Sequence, residues 1–232
     1  MVDLTASTQS DLAELVNSSV AKSGEVISAE FQSNGRGRLD RTFEAPPQSA
    51  LLFSFYVAPK RARSDWSFIS FLAALAMHEV ISESSKENFE EDLSLKWPND
   101  ILIGDKKVAG LLAQQIGKGV IVGIGLNVAM GADELPVPTA TSLALAGSND
   151  LDRNLLFSAF LNRFESIFNE WDSGRDFIEK YREVSSTLGR QVRVEVLGRE
   201  SIEAQAVSIT AQGALILSDG TEVNVGDVVH LR

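Results

Sequence analysis

The chain has 232 residues, 44% of them apolar, enough to bury a substantial core as one large domain or one domain plus a small appendage. A formal charge of -11 argues against a DNA partner, because neutralising phosphates takes a basic face, and the basic island from Arg36 to Arg41 is sized for a single small anion. The absence of cysteine excludes a disulfide framework and thiolate chemistry. With no leader-like segment in Met1 to Ser10 and no apolar run near the roughly 18 residues of a membrane span, the expected location is the cytoplasm.

Ser7-Thr8-Gln9 precedes a predicted helix, with Thr8 and Asp11 at capping-box-like spacing and Leu12, Leu15, Val16 and Val20 as its apolar stripe. Val26 to Phe31 reads as a strand ending at Gln32. Leu51 to Val57 reads as another, with Leu51, Phe53, Phe55 and Val57 on one face. Between them runs Gln32-Ser33-Asn34-Gly35-Arg36-Gly37-Arg38-Leu39-Asp40-Arg41, in which two glycines alternate with two arginines. The glycines let the backbone approach a ligand, and the guanidiniums offer bidentate hydrogen bonds to carboxylate or phosphate. Lys60, Arg61 and Arg63 read as a solvated turn before a helix from Trp66 to about Ser84, in which His78 is given no role.

After an acidic linker, Glu87 to Asp92, comes the stretch that organises the chain: Lys96-Trp97-Pro98-Asn99-Asp100, then Gly104-Asp105, then Lys107-Val108-Ala109-Gly110. It reads as a strand delivering Asn99 and Asp100 at its end, a turn, and a short return strand carrying Lys107 back past them, with Gly110 leaving room for a close approach. A solvated hairpin with an exposed Lys106-Lys107 pair is the alternative that this stretch alone leaves open. Leu111 to Gln115 and Val120 to Val128 are predicted to pair across Gly117-Lys118-Gly119, placing Asn127 at a strand end near the hairpin.

Gly131 to Thr141 is predicted as loop, and Arg153 to Trp171 and Phe177 to Ser185 as amphipathic helices. The helical register fails at Leu188-Gly189. Short alternating strands follow at Gln191 to Val196, Ile202 to Ile209, Ala214 to Leu217, Thr221 to Val225 and Val228 to Leu231, with turns at Leu197-Gly198, Gln212-Gly213, Asp219-Gly220 and Gly226-Asp227. That pattern predicts a small barrel, too short to be stable alone and therefore docked on the rest.

Gly35-Arg36-Gly37-Arg38 with Arg41, Lys96 to Asp100, Lys107 to Gly110, and Gly123-Ile124-Gly125-Leu126-Asn127-Val128 together resemble the bacterial biotin protein ligases in order and spacing. The resemblance implies an α+β fold: a mixed sheet flanked by helices, like class II aminoacyl-tRNA synthetases, over residues 1–186, and an SH3-like β-barrel over 187–232. It implies ATP and Mg2+ as cofactors, biotin as substrate, biotinyl-5'-AMP as intermediate, and a lysine of a biotin carboxyl carrier protein, of acetyl-CoA or a related carboxylase, as acceptor. It also implies a chain without the winged helix that lets some members repress transcription; a homodimer is left open.

Carried over residue by residue, the resemblance places Ser7, Thr8, Gln9, Gln32, Gly35, Arg36, Gly37, Arg38, Lys107 and Gly110 around biotin. Arg36, Arg38, Arg41, Phe43, Lys96, Asn99, Asp100, Lys107 and Asn127 fall around the adenylate, and Lys107, Arg38 and Asp100 are the catalytic candidates. Gln9 departs from the family's usual Asn, and Phe43, Ala45-Pro46 and Gln48 depart from its usual Trp, Ser-Pro and Gly. A lipoate or octanoate ligase, a non-catalytic adenylate-binding module and a structural adaptor are the competing readings.

Overall fold

The structure, a computed structural model, describes residues 1–38, 41–85, 89–196, 198 and 200–231. Leu39 and Asp40 of the arginine loop, Glu87 of the acidic linker and Leu197 of one predicted turn lie outside the described residues.

The first part of the chain runs β1 (Val2–Thr5), α1 (Thr8–Asn17), β2 (Val26–Gln32), β3 (Ala50–Val57), a 3-10 turn over Arg63–Phe68, α2 (Ile69–Ser84), β4 (Leu93–Lys96), β5 (Asp100–Ile103), β6 (Lys106–Ile116), β7 (Gly119–Asn127), α3 (Arg153–Asp172) and α4 (Ile178–Glu183). Its seven strands form one mixed sheet in the order β1-β2-β3-β7-β6-β5-β4, in which β1 runs parallel to β2 and the other pairs are antiparallel. β3 is buried along its whole length because both faces are covered. On one face Phe53 meets the rings of Phe157 and Phe160 of α3, with centroids 4.9 and 5.1 Å apart, and Phe55 meets Phe160 and Phe164. On the other, Tyr56 packs with Leu12 of α1 and Ile121 of β7. Each fully buried ring of this kind contributes about 1.5–3 kcal/mol.

Several local expectations change. The Thr8/Asp11 capping box does not form: Asp11 accepts from Thr5 Oγ1 at 2.6 Å, and the α1 amino end is capped from the neighbouring strand β2 by Gln32, whose Oε1 accepts from Thr8 N–H at 2.7 Å. A tertiary acceptor thus replaces the local one. Val20 lies beyond α1 and is 63% exposed, so the apolar stripe stops at Val16. Arg61 is not part of a solvated turn: its guanidinium donates to the Trp171 carbonyl and lies over that ring, tying the turn to α3. Asn99 begins no strand end. It sits in the turn after β4, which holds a cis Trp97-Pro98 bond, and Asp100 opens β5. The return strand and the strand after it are one element, β6, because the pairing with β7 continues without a break from Ala109 to Ile116. β1 has no counterpart in the sequence reading, being four residues whose partner is non-local.

The C-terminal part is a five-stranded antiparallel sheet of β8 (Gln191–Glu195), β9 (Ile202–Ile209), β10 (Leu215–Leu217), β11 (Glu222–Val223) and β12 (Asp227–His230), ordered β11-β10-β9-β8-β12. It is docked through Trp97, which is 1% exposed. The indole N–H donates to the Gly213 carbonyl at 2.9 Å and the backbone N–H to Thr187 Oγ1 at 3.0 Å, while Thr187 Oγ1 is also 3.1 Å from His230 Nε2. No described helix is long and apolar enough to cross a membrane.

Candidate active site

The floor of the site is one face of the large sheet. Strand pairing sets Asp100 opposite Gly110, Gly110 opposite Gly125 and Gly125 opposite Leu52; the neighbouring row brings Leu112, Gly123 and Ser54 together. Side chains alternate across a strand, so Gly123 and Gly125 open the same face of β7. Glycine inside a strand weakens it and marks a close approach. Here each glycine lies under a side chain. A Cβ on Gly110 would stand 2.7 Å from Lys107 Nζ, one on Gly123 2.5 Å from Gln9 Oε1, and one on Gly125 2.6 Å from the Phe43 ring. The close approach foreseen at Gly110 is that of the chain's own lysine.

Above this floor is a cavity of about 280 Å3. Ser7, Thr8 and Gln9 reach it from the start of α1, and Gln32 from the end of β2. Arg36, Gly37, Arg38, Arg41 and Phe43 come from the arginine loop, Lys96, Asn99 and Asp100 from the β4–β5 turn, and Lys107 and Gly110 from β6. Two expected residues do not line it. Gly35 closes the base of the loop, its carbonyl accepting from Phe43 N–H at 2.9 Å. Asn127 is buried at the end of β7, donating from Nδ2 to the Thr141 carbonyl at 2.9 Å, and Thr141 N–H donates to the Lys107 carbonyl at 2.8 Å. The last residue of β7 turns into the Gly131–Thr141 connection, so Asn127 braces the strand that carries Lys107.

The hydroxyl and amide groups gather over the Ser54–Gly123 row. Thr8 Oγ1 is 2.8 Å from Ser54 Oγ and donates to Gln32 Oε1 at 3.1 Å, and Ser7 is buried without capping α1 through its side chain. Gln9 is 3% exposed, and its Nε2 has no hydrogen-bond partner among the described residues. A buried amide donor costs free energy until something accepts from it, so this end of the cavity favours a ligand with a polar head.

The cations gather over the Asp100–Gly110 row. Arg36, Arg38, Arg41, Lys96 and Lys107 line the cavity against the carboxylates Asp100, Glu195 and Asp227, so it is positive inside a protein of charge -11. Lys107 Nζ stands 2.6 Å from Asp100 Oδ1. Arg38 donates to Asn99 Oδ1 at 3.3 Å and to the Gly226 carbonyl at 3.1 Å, and Arg41 lies 2.7 Å from Asp227 Oδ2. Burial pulls the Arg38 pKa below its ordinary value, with Asp227 and then Asp100 opposing it. Lys96 is lowered in the same way, opposed first by Asp100. Cations held partly out of water act on an anion more strongly than solvated ones. The arrangement suits a molecule with a neutral hydrogen-bonding head and an anionic tail.

Ser54, Gly123, Gly125, Glu195 and Asp227 also line the cavity, and the sequence reading did not single them out as site residues. Ser54 is the lone polar residue of an otherwise apolar strand, and the alternating glycines of β7 break a run of branched residues; both were legible signals. Asp227 carried none, since what makes it a site residue is a loop far away in sequence.

Residues 1–130 match the model of the biotin/lipoate A/B protein ligase family, and residues 187–231 match that of the biotin protein ligase C terminal domain. The chain is 35% identical to the biotin (acetyl-CoA-carboxylase) ligase of Mycobacterium tuberculosis, the alignment covering 100% of this chain and 88% of that one. It is 28% identical to the bifunctional ligase/repressor BirA of Escherichia coli over 91% of this chain and 67% of that one. Among solved structures, the biotin protein ligase of Aquifex aeolicus in complex with biotin and ATP superposes with a TM-score of 0.83 at 28% identity, covering 100% of this chain and 97% of that one. A glycine-floored cavity with cations over one row and buried polar side chains over the next, in a chain matched along its length by such relatives, establishes that this protein belongs to the biotin/lipoate A/B protein ligase family.

Proposed function

We propose that the protein is an ATP-dependent biotin protein ligase that forms biotinyl-5'-AMP and passes the biotinyl group to a lysine of a biotin carboxyl carrier protein, such as that of acetyl-CoA carboxylase. The observation that carries this reading is the convergence of Arg36, Arg38, Lys96 and Lys107 beside a buried Thr8–Ser54–Gln9 pocket, in one cavity. The buried polar pocket takes the ring head of biotin, and the cations take its carboxylate and the α-phosphate. Two anions that repel must meet for the carboxylate oxygen to attack phosphorus and expel pyrophosphate. Fixed cations at that point stabilise the charge as it moves.

In the second step the lysine amine attacks the acyl carbon, the bond to AMP breaks and the amine loses a proton. Asp100, which pairs with Lys107 in the cavity, would orient the ammonium and take that proton. Mg2+ binds phosphate oxygens with only one or two carboxylates, and Asp100 would offer one from the cavity. Among the described residues no cluster of three or more metal-ligating side chains exists, so the ion fits as a partner of the nucleotide. When bound, it neutralises charge on the departing pyrophosphate.

Pyrophosphate exchange into ATP, measured with biotin, lipoate or octanoate, tests the reading. Exchange is expected with biotin alone. Exchange with lipoate or octanoate only would assign the other branch of the family, and none with any acid would leave a binding module.

A further inference from the structure

The C-terminal sheet supplies a wall to the cavity that the reaction outlined above does not use. β8 and β12 pair so that Glu195 lies opposite Asp227, and both side chains reach the cavity. Asp227 Oδ2 stands 2.7 Å from Arg41 Nη2, with the Asp227 side chain 14% exposed. One residue earlier, the Gly226 carbonyl accepts from Arg38 Nη2 at 3.1 Å. The loop backbone keeps the two arginines together, since Gly37 N–H donates to the Arg41 carbonyl at 2.7 Å and Arg41 N–H to the Arg38 carbonyl at 3.1 Å. One turn of the arginine loop therefore points two guanidiniums at one turn of the C-terminal sheet, which answers with a carboxylate and a carbonyl. A phosphate would present the same kind of oxygen acceptors to the same two donors.

We propose that Asp227 is a positioning residue for the arginine loop: before nucleotide binds it stands in for the phosphate, holding Arg41 and, through the adjoining Gly226 carbonyl, Arg38, and the phosphate then displaces it. This rests on the ligase reading, which makes the incoming anion a phosphate of ATP or of the adenylate. Two consequences follow from the competition. Arg38 and Arg41 are held by an internal anion and its neighbouring carbonyl while the cavity holds no nucleotide, and ATP binds more weakly than it would to unpaired arginines, because part of its interaction replaces one already made. Arg41 is 68% exposed, so the second effect is modest, about fivefold at most for an ion pair in such a position. Loading the site also loosens the contact between loop and C-terminal sheet, which couples the two parts of the chain through one carboxylate.

Asp227→Asn keeps the shape and removes the charge, and Asp227→Glu restores the charge. In the ligand-free proteins, hydrogen–deuterium exchange at Gly37 and Arg41 is expected to be several-fold faster in Asp227→Asn than in wild type, and to return toward wild type in Asp227→Glu. With biotin and Mg-ATP added, the Asn variant and wild type should coincide. In pyrophosphate exchange the KM for ATP of Asp227→Asn is expected to fall about two- to fivefold at low salt, the gap closing near roughly 0.5 M salt as charges are screened. A merely structural loss would raise KM. Equal loop exchange in the ligand-free wild type and Asn variant, or a KM for ATP that is unchanged or higher, overturns the proposal. If wild type shows no biotin-dependent exchange, the ligase reading fails, while the ligand-free exchange rates still decide whether Asp227 holds the loop.

Discussion

The two sides of the cavity are built on different principles. On one side Asp100, Lys107 and Gly110 lie within eleven residues of one another in sequence, and antiparallel pairing of β5 with β6 brings the lysine and carboxylate within 2.6 Å. On the other side Arg38 and Arg41 leave from a loop whose side-chain partners are Asn99, Gly226 and Asp227; the bond to Gly226 spans 188 positions. Backbone hydrogen bonds in a sheet act together and set side-chain positions whether or not a ligand is present. A partly exposed ion pair is worth a fraction of a kcal/mol to about one, so the loop keeps its place only as long as its partners do. The strand side is therefore suited to chemistry, which needs fixed charges. The loop side is suited to admitting and retaining a ligand, which needs something that can let go.

The largest expected effect is on the strand side. Lys107→Ala should lower the rate of adenylate formation on the order of 10²-fold or more, with a smaller loss of biotin binding, because the cation matters most as charge develops. Single-turnover assays separate the two, and a rate within a few-fold of wild type would make Lys107 a surface lysine.

Next comes Gly110→Ala, which probes whether position rather than presence of the lysine matters. The new Cβ would press on Lys107 Nζ and Cε, the movable end of a flexible side chain, so the fold should survive with little change in thermal midpoint. Adenylation should fall by about tenfold, since a displacement near 1 Å at a reacting centre costs that much or more. A loss of folding with intact specific activity of the remaining protein would show that the glycine serves the sheet alone.

On the loop side, Arg38→Gly removes donors to Asn99 and Gly226 and adds backbone freedom. Biotinyl-AMP is a mixed anhydride that any free amine attacks, so escape should outpace the loss in synthesis. Several-fold more biotin on an unrelated lysine-rich protein is the expected reading. Equal or lower labelling, with adenylate synthesis intact, would assign retention to another group.

The smallest effect tests the seam between the two parts of the chain. Burial, with Lys96 and Arg190 adding to it, pulls the His230 pKa down to about 4, and burial lowers His78 as well. The folded protein therefore holds these rings neutral at a pH where the unfolded chain, at about 6.5, takes up protons. The contribution to stability is complete above about pH 6.5 and declines as pH falls toward 4. His230→Gln should flatten the dependence of Tm on pH over that window. An unaltered slope would mean that His230 keeps its proton in the fold.

The arginine loop, the Lys96 to Asp100 stretch and Lys107 to Gly110 could be read as a site because their residue types are chemically costly in any other setting, and strands as apolar as Ala50–Val57 declare themselves by composition. Local alternation likewise located the C-terminal strands, each to within a few residues. Tertiary structure decided the rest. It moved the cap of α1 from Asp11 to Gln32, tied Asn127 to Thr141 beside the strand of Lys107, laid the Phe43 ring across Gly125, and brought Asp227 to Arg41. In each of these cases the partner is chosen by strand order and docking, which bring together groups distant in sequence or on different strands. A sequence records which groups can bond, but the distance between them exists only once the sheets have formed.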